Sequence, residues 1–266
     1  MFSIFGPKLP IDSDELEFQL ATFKWLNREF GGPEPRRLVL PTPDYFPAPA
    51  KEGASRVETL FGHVREAAGM ADWPCELRAG RGDRPVQVGT ALLLRHEGAA
   101  APCGTFQVTG ADGRQKVVIT YNPSLAEDSE AMVATFAHEL GHYLMSTAST
   151  APPGGWSIHE LHTDLAAVWL GFGIFLANSA RSFSQFQSAG EIGWSSRTQG
   201  YLSEGALVTA LAIFQRLHGA DPLEPGPWLK DYLRKDLKRA AAALAKLHPD
   251  VAAAVDAVDL SDFAED

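Results

Sequence analysis

The stretch TFAHELGHY, residues 135–143, contains two histidines four positions apart, and a glutamate directly follows the first of them. If this stretch is helical, His138 and His142 lie on one face, one turn apart, and both imidazoles can reach the same metal ion. Glu139 is rotated about 100° from His138 around the helix axis, so its carboxylate is expected beside the metal. A general base for an attacking water is needed at that place. The pattern predicts a hydrolytic zinc site, and a chance occurrence of the motif is the alternative.

A third protein ligand is needed, because catalytic zinc sites usually have three protein ligands and keep one position for water. Glu160 is the best candidate, since it follows His142 by 18 residues and lies near the start of the next expected helix. Asp164 is one turn further on the same face, where it can accept a hydrogen bond from a ligating histidine. His159 and His162 are alternative ligands. His162 is expected to point away from the metal, either at the surface or beside a ligand.

The motif is expected within a helix over about 128–145, which follows a strand at 117–121. A loop rich in Ser, Thr, Pro and Gly comes next, and a second long helix is expected from about residue 157 to about residue 178. Because that loop is short, the second helix can turn back and pack against the first. This packing would bring Glu160 to the two histidines.

The remaining sequence predicts further helices and a small sheet. Amphipathic helices are expected at about 12–30, 55–70, 203–217 and 227–247. Short strands between turn signals are expected at 38–40, 75–78, 86–88, 91–95, 105–109 and 116–121. The spacing of these strands indicates a small, mostly antiparallel sheet, with a hairpin turn at Asp112-Gly113. The fold class is therefore α+β.

Composition restricts the classes of function. The chain has 266 residues, of which 45% are hydrophobic and 21% charged, and its net charge of −10 gives no support for nucleic-acid binding. The two cysteines, Cys75 and Cys103, form no C-x-x-C pair and fit a reducing compartment. The N-terminus shows no secretory signal. The apolar run at 165–177 is too short to span a bilayer and is expected to be a core helix. A soluble, cytoplasmic protein is expected.

The motif with Glu160-x-x-x-Asp164 resembles the gluzincin metallopeptidases, which include thermolysin-like and HtpX-like enzymes. The stretch ELHTDLAA, residues 160–167, is most similar to the HtpX-like branch. The resemblance implies that His138, His142 and Glu160 bind Zn²⁺, that Glu139 is the general base, and that Asp164 orients a ligand.

The resemblance covers about 117–178 and also implies a strand edge beside the zinc that binds extended substrate. The strand at 117–121 is placed to provide that edge. The transmembrane helices of the HtpX-like enzymes are absent from this sequence, so no membrane span is expected.

Peptide hydrolysis also needs a hydrogen-bond donor for the oxyanion that forms on the attacked carbonyl. Tyr201, Arg197, His218 and Tyr143 are the candidates. Arg197 and Tyr201 are slightly favoured, because they lie four residues apart ahead of an expected helix. An ordinary surface or packing role is the alternative for each of the four.

An N-terminal α+β region, 1–115, is expected to form one compact unit with a metallopeptidase-like region, 116–266, whose helical core is zincin-like. The expected function is that of a zinc metalloprotease acting on a peptide or protein substrate; the oligomeric state is not predicted. One alternative is a non-catalytic binding or regulatory protein that keeps the zinc, which a fourth protein ligand would favour. Another is a zinc amidase with a non-protein substrate, which a closed pocket would favour.

Overall fold

The computed structural model describes residues 8–31, 35–48, 55–80, 104–111, 114–187 and 201–264, and the chain is mostly helical with a small sheet. The helices are α1 (Ser13–Phe30), α2 (Arg56–Ala67), α3 (Ser129–Met145), α4 (His159–Ala167), α5 (Gly173–Gln187), α6 (Glu204–Leu217), α7 (Asp231–Leu247) and α8 (Val251–Ala257). The strands are β1 (Cys75–Ala79), β2 (Gly104–Ala111) and β3 (Arg114–Tyr121).

Local capping signals determine where several helices begin. The carboxylate of Asp12 accepts a hydrogen bond from the backbone N–H of Glu15 at the start of α1. Asp128 does the same for the N–H of Ala131 at the start of α3. Such caps stabilise a helix by about 1 kcal/mol. The predicted motif helix is confirmed, so the two motif histidines lie on adjacent turns of α3.

The sheet has the strand order β1-β3-β2, and its two pairings differ in direction. β2 and β3 are antiparallel, and the turn predicted between them at Asp112-Gly113 lies outside the described residues. β1 and β3 are parallel, with Cys75 opposite Val117. The prediction of a mostly antiparallel sheet is therefore wrong for this pairing. The strands predicted at 86–88 and 91–95 lie outside the described residues.

The central position of β3 overturns the prediction that 117–121 provides a substrate-binding edge. Both sides of β3 are paired along this stretch, so its backbone N–H and C=O groups are already used. Helix α3 packs against both β3 and β2. Of the three described strands, only β1 and β2 have one side without a described partner strand.

The predicted long helix over 157–178 is broken in its middle. α4 ends at Ala167, a π-helical segment spans Val168–Phe172, and α5 begins at Gly173. Gly171 has a φ of 102°, and a Cβ on it would lie 2.4 Å from the carbonyl oxygen of Arg37, so only glycine fits.

The break at Gly171 also explains why the predicted strand at 38–40 does not form part of the sheet. The carbonyl of Gly171 accepts a hydrogen bond from the N–H of Val39, so the predicted strand at 38–40 is an extended segment docked on the break.

The stretch Trp156–Ala180 is long and apolar enough to cross a membrane, but 94% of its most apolar window is buried. This burial is consistent with a core helix of a soluble protein. The cytoplasmic location stays a prediction.

Helix α3 lies at the centre of the fold and packs against α2, α4, α5 and the sheet. It lies close to α4 at Gly141, where a Cβ would lie 3.0 Å from the carbonyl oxygen of Thr163. A larger residue at this position would push the two helices apart. The hydrophobic cluster around α3 includes residues on both sides of the predicted division at 115/116, which stays a prediction.

Candidate metal centre

Three buried side chains from α3 and α4 converge at the interface between these helices. Nε2 of His138 lies 3.1 Å from Oε2 of Glu160, and Nε2 of His142 lies 3.4 Å from the same oxygen. The three ligand atoms lie within 4.8 Å of one another. The two motif histidines and the predicted third ligand are thus brought together, and this group could hold a metal ion.

The other ring nitrogen of each histidine is held by a neighbour on α4. Nδ1–H of His138 donates to Oδ1 of Asp164 over 2.9 Å. Thr163 donates its hydroxyl hydrogen to the carbonyl of His159, so its Oγ1 accepts from Nδ1–H of His142 over 3.1 Å. In the neutral form of each ring the proton is on Nδ1, and the lone pair of Nε2 points towards Glu160.

The arrangement fits a divalent cation. Two lone pairs of nitrogen and a carboxylate oxygen face one another, which is unfavourable unless a proton or a metal ion lies between them. In a tetrahedral zinc site with bonds of about 2.0–2.1 Å, neighbouring ligand atoms are about 3.3 Å apart. The observed distances of 3.1 and 3.4 Å agree with this separation. Two imidazoles and one glutamate also form a donor set known from catalytic zinc sites.

Burial and hydrogen bonds shift the pKa values of these residues in different directions. Burial lowers the pKa of His142 to about 4, so this ring stays neutral. Burial also opposes charge on His138, but its hydrogen bonds to Asp164 and Glu160 outweigh burial and raise its pKa well above the usual value. Burial acts to raise the pKa of Glu160, yet its histidine partners lower it. The raised pKa of His138 favours a proton on its ring, and metal binding must displace that proton.

Glu139 is buried beside this group, with only 4% of its surface exposed. Its Oε2 has no hydrogen-bond partner among the residues that the structure describes. Burial raises the pKa of Glu139 to about 8, and the charge of Glu160 adds to the effect. A buried carboxyl group that lacks a partner is costly, and such groups concentrate at functional sites. Glu139 is thus a buried carboxyl group beside the converging ligand atoms, and its role as a general base stays a prediction.

The segment before α6 contacts His138 and Asp164. The ring of Tyr201 packs against the ring of His138, with 5.3 Å between their centroids. The next residue, Leu202, donates its backbone N–H to Oδ2 of Asp164 over 2.8 Å. Both residues line a small pocket beside His138 together with Leu207. Both oxygens of Asp164 are therefore occupied, which fixes the carboxylate that orients His138.

The other candidates for the oxyanion donor were Arg197, Tyr143 and His218. Arg197 lies outside the described residues. Tyr143 donates its hydroxyl to the carbonyl of Pro74, and the ring of His218 packs on Phe214. Packing therefore accounts for Tyr143 and His218.

His162 is a core residue, which corrects the prediction that it lies at the surface or beside a ligand. It is fully buried, and its Nδ1 lies 3.3 Å from Oγ1 of Thr22 on α1. Its ring also packs against Phe18, with 5.0 Å between the ring centroids. Burial lowers its pKa to about 3. The expectation that it points away from the metal ligands is confirmed.

Sequence reasoning missed two of the groups that support the centre. Thr163 follows Glu160 by three residues and so shares its helix face, a spacing that could have indicated its role. Leu202 contributes a backbone N–H, and its side chain carries no signal of that role.

Comparison with known proteins adds no relative. No protein-family model, no curated protein and no solved structure matches this chain. What the structure shows is the buried group of His138, His142 and Glu160 that could hold a metal ion. The gluzincin resemblance and the identity of the metal stay predictions.

Proposed function

We propose that the protein is a zinc metallopeptidase of gluzincin type, with a zincin-like core. The observation that carries this proposal is the orientation of the ligands. Both histidines are anchored through Nδ1 and present Nε2 towards Oε2 of Glu160, at distances that suit a tetrahedral ion. Zn²⁺ bound there would lower the pKa of water and polarise the carbonyl of the substrate.

Glu139 is the proposed general base. It follows the ligand His138 directly, it is buried, and its Oε2 lacks a hydrogen-bond partner among the described residues. Its carboxylate would accept a proton from the attacking water and then pass that proton to the leaving amine. Burial raises the pKa of Glu139, and a higher pKa makes its carboxylate a stronger base than an exposed carboxylate.

The surrounding residues have positioning roles in this proposal. Asp164 and Thr163 hold the two imidazoles in the tautomer that a metal requires. Tyr201, which packs against His138, is the proposed donor to the oxyanion, and Arg197 keeps that role as a prediction.

The substrate in this proposal is an extended peptide that pairs with β2 rather than with β3. β3 has both sides paired, whereas β2 is an outer strand of the described sheet and packs on α3. An outer strand can add a peptide through its free N–H and C=O groups.

Replacement of Glu139 by Gln tests the proposal most directly. The amide keeps the size of the side chain but cannot accept the proton, so kcat should fall by about 100-fold or more while zinc content stays stoichiometric. The measurement is cleavage of a diverse peptide library, with and without chelator, alongside elemental analysis. Glu127→Gln, at an exposed position just before α3, is the matched control and should cleave like the wild type.

The outcomes separate the alternatives. If Glu139→Gln cleaves as fast as the wild type, Glu139 is not the base. A wild type that holds zinc but cleaves no peptide, and releases no ammonia from small amides, is the non-catalytic binding or regulatory protein. Release of ammonia without peptide cleavage identifies the zinc amidase.

A further inference from the structure

The second carboxylate oxygen of Glu160 has its own contact. Oε2 faces Nε2 of both motif histidines, whereas Oε1 lies 3.1 Å from Nε2 of His159. A carboxylate can bind a metal through one oxygen or through both, and binding through both uses an additional coordination position. A group that holds Oε1 therefore affects how many positions remain for water and substrate.

His159 is fixed by the backbone before it reaches Glu160. It is the first residue of α4, and its Nδ1–H donates to the carbonyl of Trp156 over 3.0 Å. The turn that leads to Trp156 contains Gly154 and Gly155, with φ values of 75° and 74° that favour glycine. The imidazole is thus oriented by the turn between α3 and α4, and its ring centroid lies 5.7 Å from that of His142.

We propose that His159 is a positioning residue for the metal ligand Glu160, holding Oε1 so that Oε2 alone faces the metal. The inference rests on the metal part of the proposed function. The Nδ1–H of this imidazole is held by a backbone carbonyl, and its Nε2 contacts Oε1 of Glu160. The converging ligand atoms belong to His138, His142 and Glu160. His159 thus faces Oε1, whereas His138 and His142 both face Oε2.

This role predicts a graded loss of metal affinity. His159→Leu removes the contact with Oε1 and should weaken zinc binding about 10- to 100-fold, as removal of a group that orients a metal ligand typically does. His159→Gln supplies an amide N–H to Oε1 and should recover most of that loss. His248→Gln, a histidine at the C-terminal cap of α7, is the matched control and should bind zinc like the wild type.

The experiment is a competition titration of zinc against a chromophoric chelator, combined with the visible absorption spectrum of the Co²⁺-substituted proteins. The spectrum reports ligand number and type, so it should be the same for the wild type and His159→Gln. Unchanged zinc affinity in His159→Leu would overturn the proposal. So would equal losses in both variants with a changed Co²⁺ spectrum, because His159 would then be a direct ligand.

The same titration separates this inference from the peptidase proposal. If the variants show the graded loss but the wild type cleaves no peptide, the positioning role stands and the peptidase function fails. If the wild type binds no zinc, the metal centre and the role of His159 fail together.

Discussion

Helix α4 takes part in two buried histidine–threonine contacts, one with α3 and one with α1, and the two contacts have the same hydrogen-bonding groups. Towards α3, Oγ1 of Thr163 lies 3.1 Å from Nδ1 of His142 and donates to the carbonyl four residues earlier. Towards α1, Oγ1 of Thr22 lies 3.3 Å from Nδ1 of His162 and likewise donates to the carbonyl four residues earlier. In both pairs the threonine hydroxyl donates to the helix backbone, so its oxygen can accept a hydrogen bond from the histidine ring.

The pairs differ in the surroundings of the second ring nitrogen. Nε2 of His142 faces Oε2 of Glu160 and belongs to a group of three converging ligand atoms. The ring of His162 lies among aromatic side chains, with its centroid 5.0 Å from Phe18 and 6.4 Å from Trp25. Burial and an anchored tautomer therefore do not define a metal ligand by themselves. Convergence of the free lone pair with other donors does.

The largest effect on zinc binding should come from removing Glu160. Glu160→Ala eliminates the oxygen that both motif histidines face, and zinc binding should weaken by more than about 100-fold, beyond the loss typical of a residue that only supports a ligand. Elemental analysis after dialysis measures this. His162→Gln, on the other face, should keep stoichiometric zinc. Stoichiometric zinc in Glu160→Ala would remove Glu160 from the ligand set.

Exchange of each threonine for valine should give a smaller effect and compares the pairs directly. Thr163→Val removes the acceptor for Nδ1–H of His142, so zinc affinity should fall about 10- to 100-fold. Thr22→Val removes the equivalent group from His162 and should leave zinc affinity unchanged. Both should lower the free energy of unfolding by about 1 kcal/mol. Equal zinc affinities in the two variants would contradict the assigned difference between the faces.

The smallest effect should be the loss of folding stability at acid pH that arises from His162. Because the pKa of His162 is about 3 in the folded protein and near 6.5 when unfolded, the unfolded chain binds more protons between these values. Stability from this group is therefore complete above about pH 6.5 and is lost as pH falls towards 3. From pH 7 to pH 5 the loss should be about 1–2 kcal/mol.

Urea unfolding with chelator present, at both pH values, measures this contribution. His162→Gln should show a smaller loss than the wild type over the same interval, since glutamine does not titrate. The chelator keeps metal binding by the motif histidines from contributing. An identical pH dependence of the two proteins would show that burial does not shift the pKa of His162 in this way.

Features set by neighbouring residues were predictable from the sequence. The caps at Asp12 and Asp128 act within three residues, so the starts of α1 and α3 follow from local pattern. The spacing of His138 and His142 places both on one helix face, and the convergence of Glu160 with them follows once α4 folds back.

Features that join distant segments were not predictable in this way. The parallel pairing of β1 with β3 joins strands far apart in the chain, and no turn signal encodes it. The break at Gly171 depends on the docking of Arg37 and Val39, so the apolar pattern alone suggested one continuous helix. His162 was misplaced because its partners are on α1, which the local sequence does not identify.

The hydrogen bond from Leu202 to Asp164 has a consequence for exchange with solvent. This amide joins the segment ahead of α6 to the carboxylate that orients His138, across 38 residues of sequence. Metal occupancy and docking of that segment therefore stabilise each other, since each favours the same position of Asp164. Loading with metal is expected to slow deuterium uptake at the Leu202 amide, which makes this one proton a reporter of occupancy.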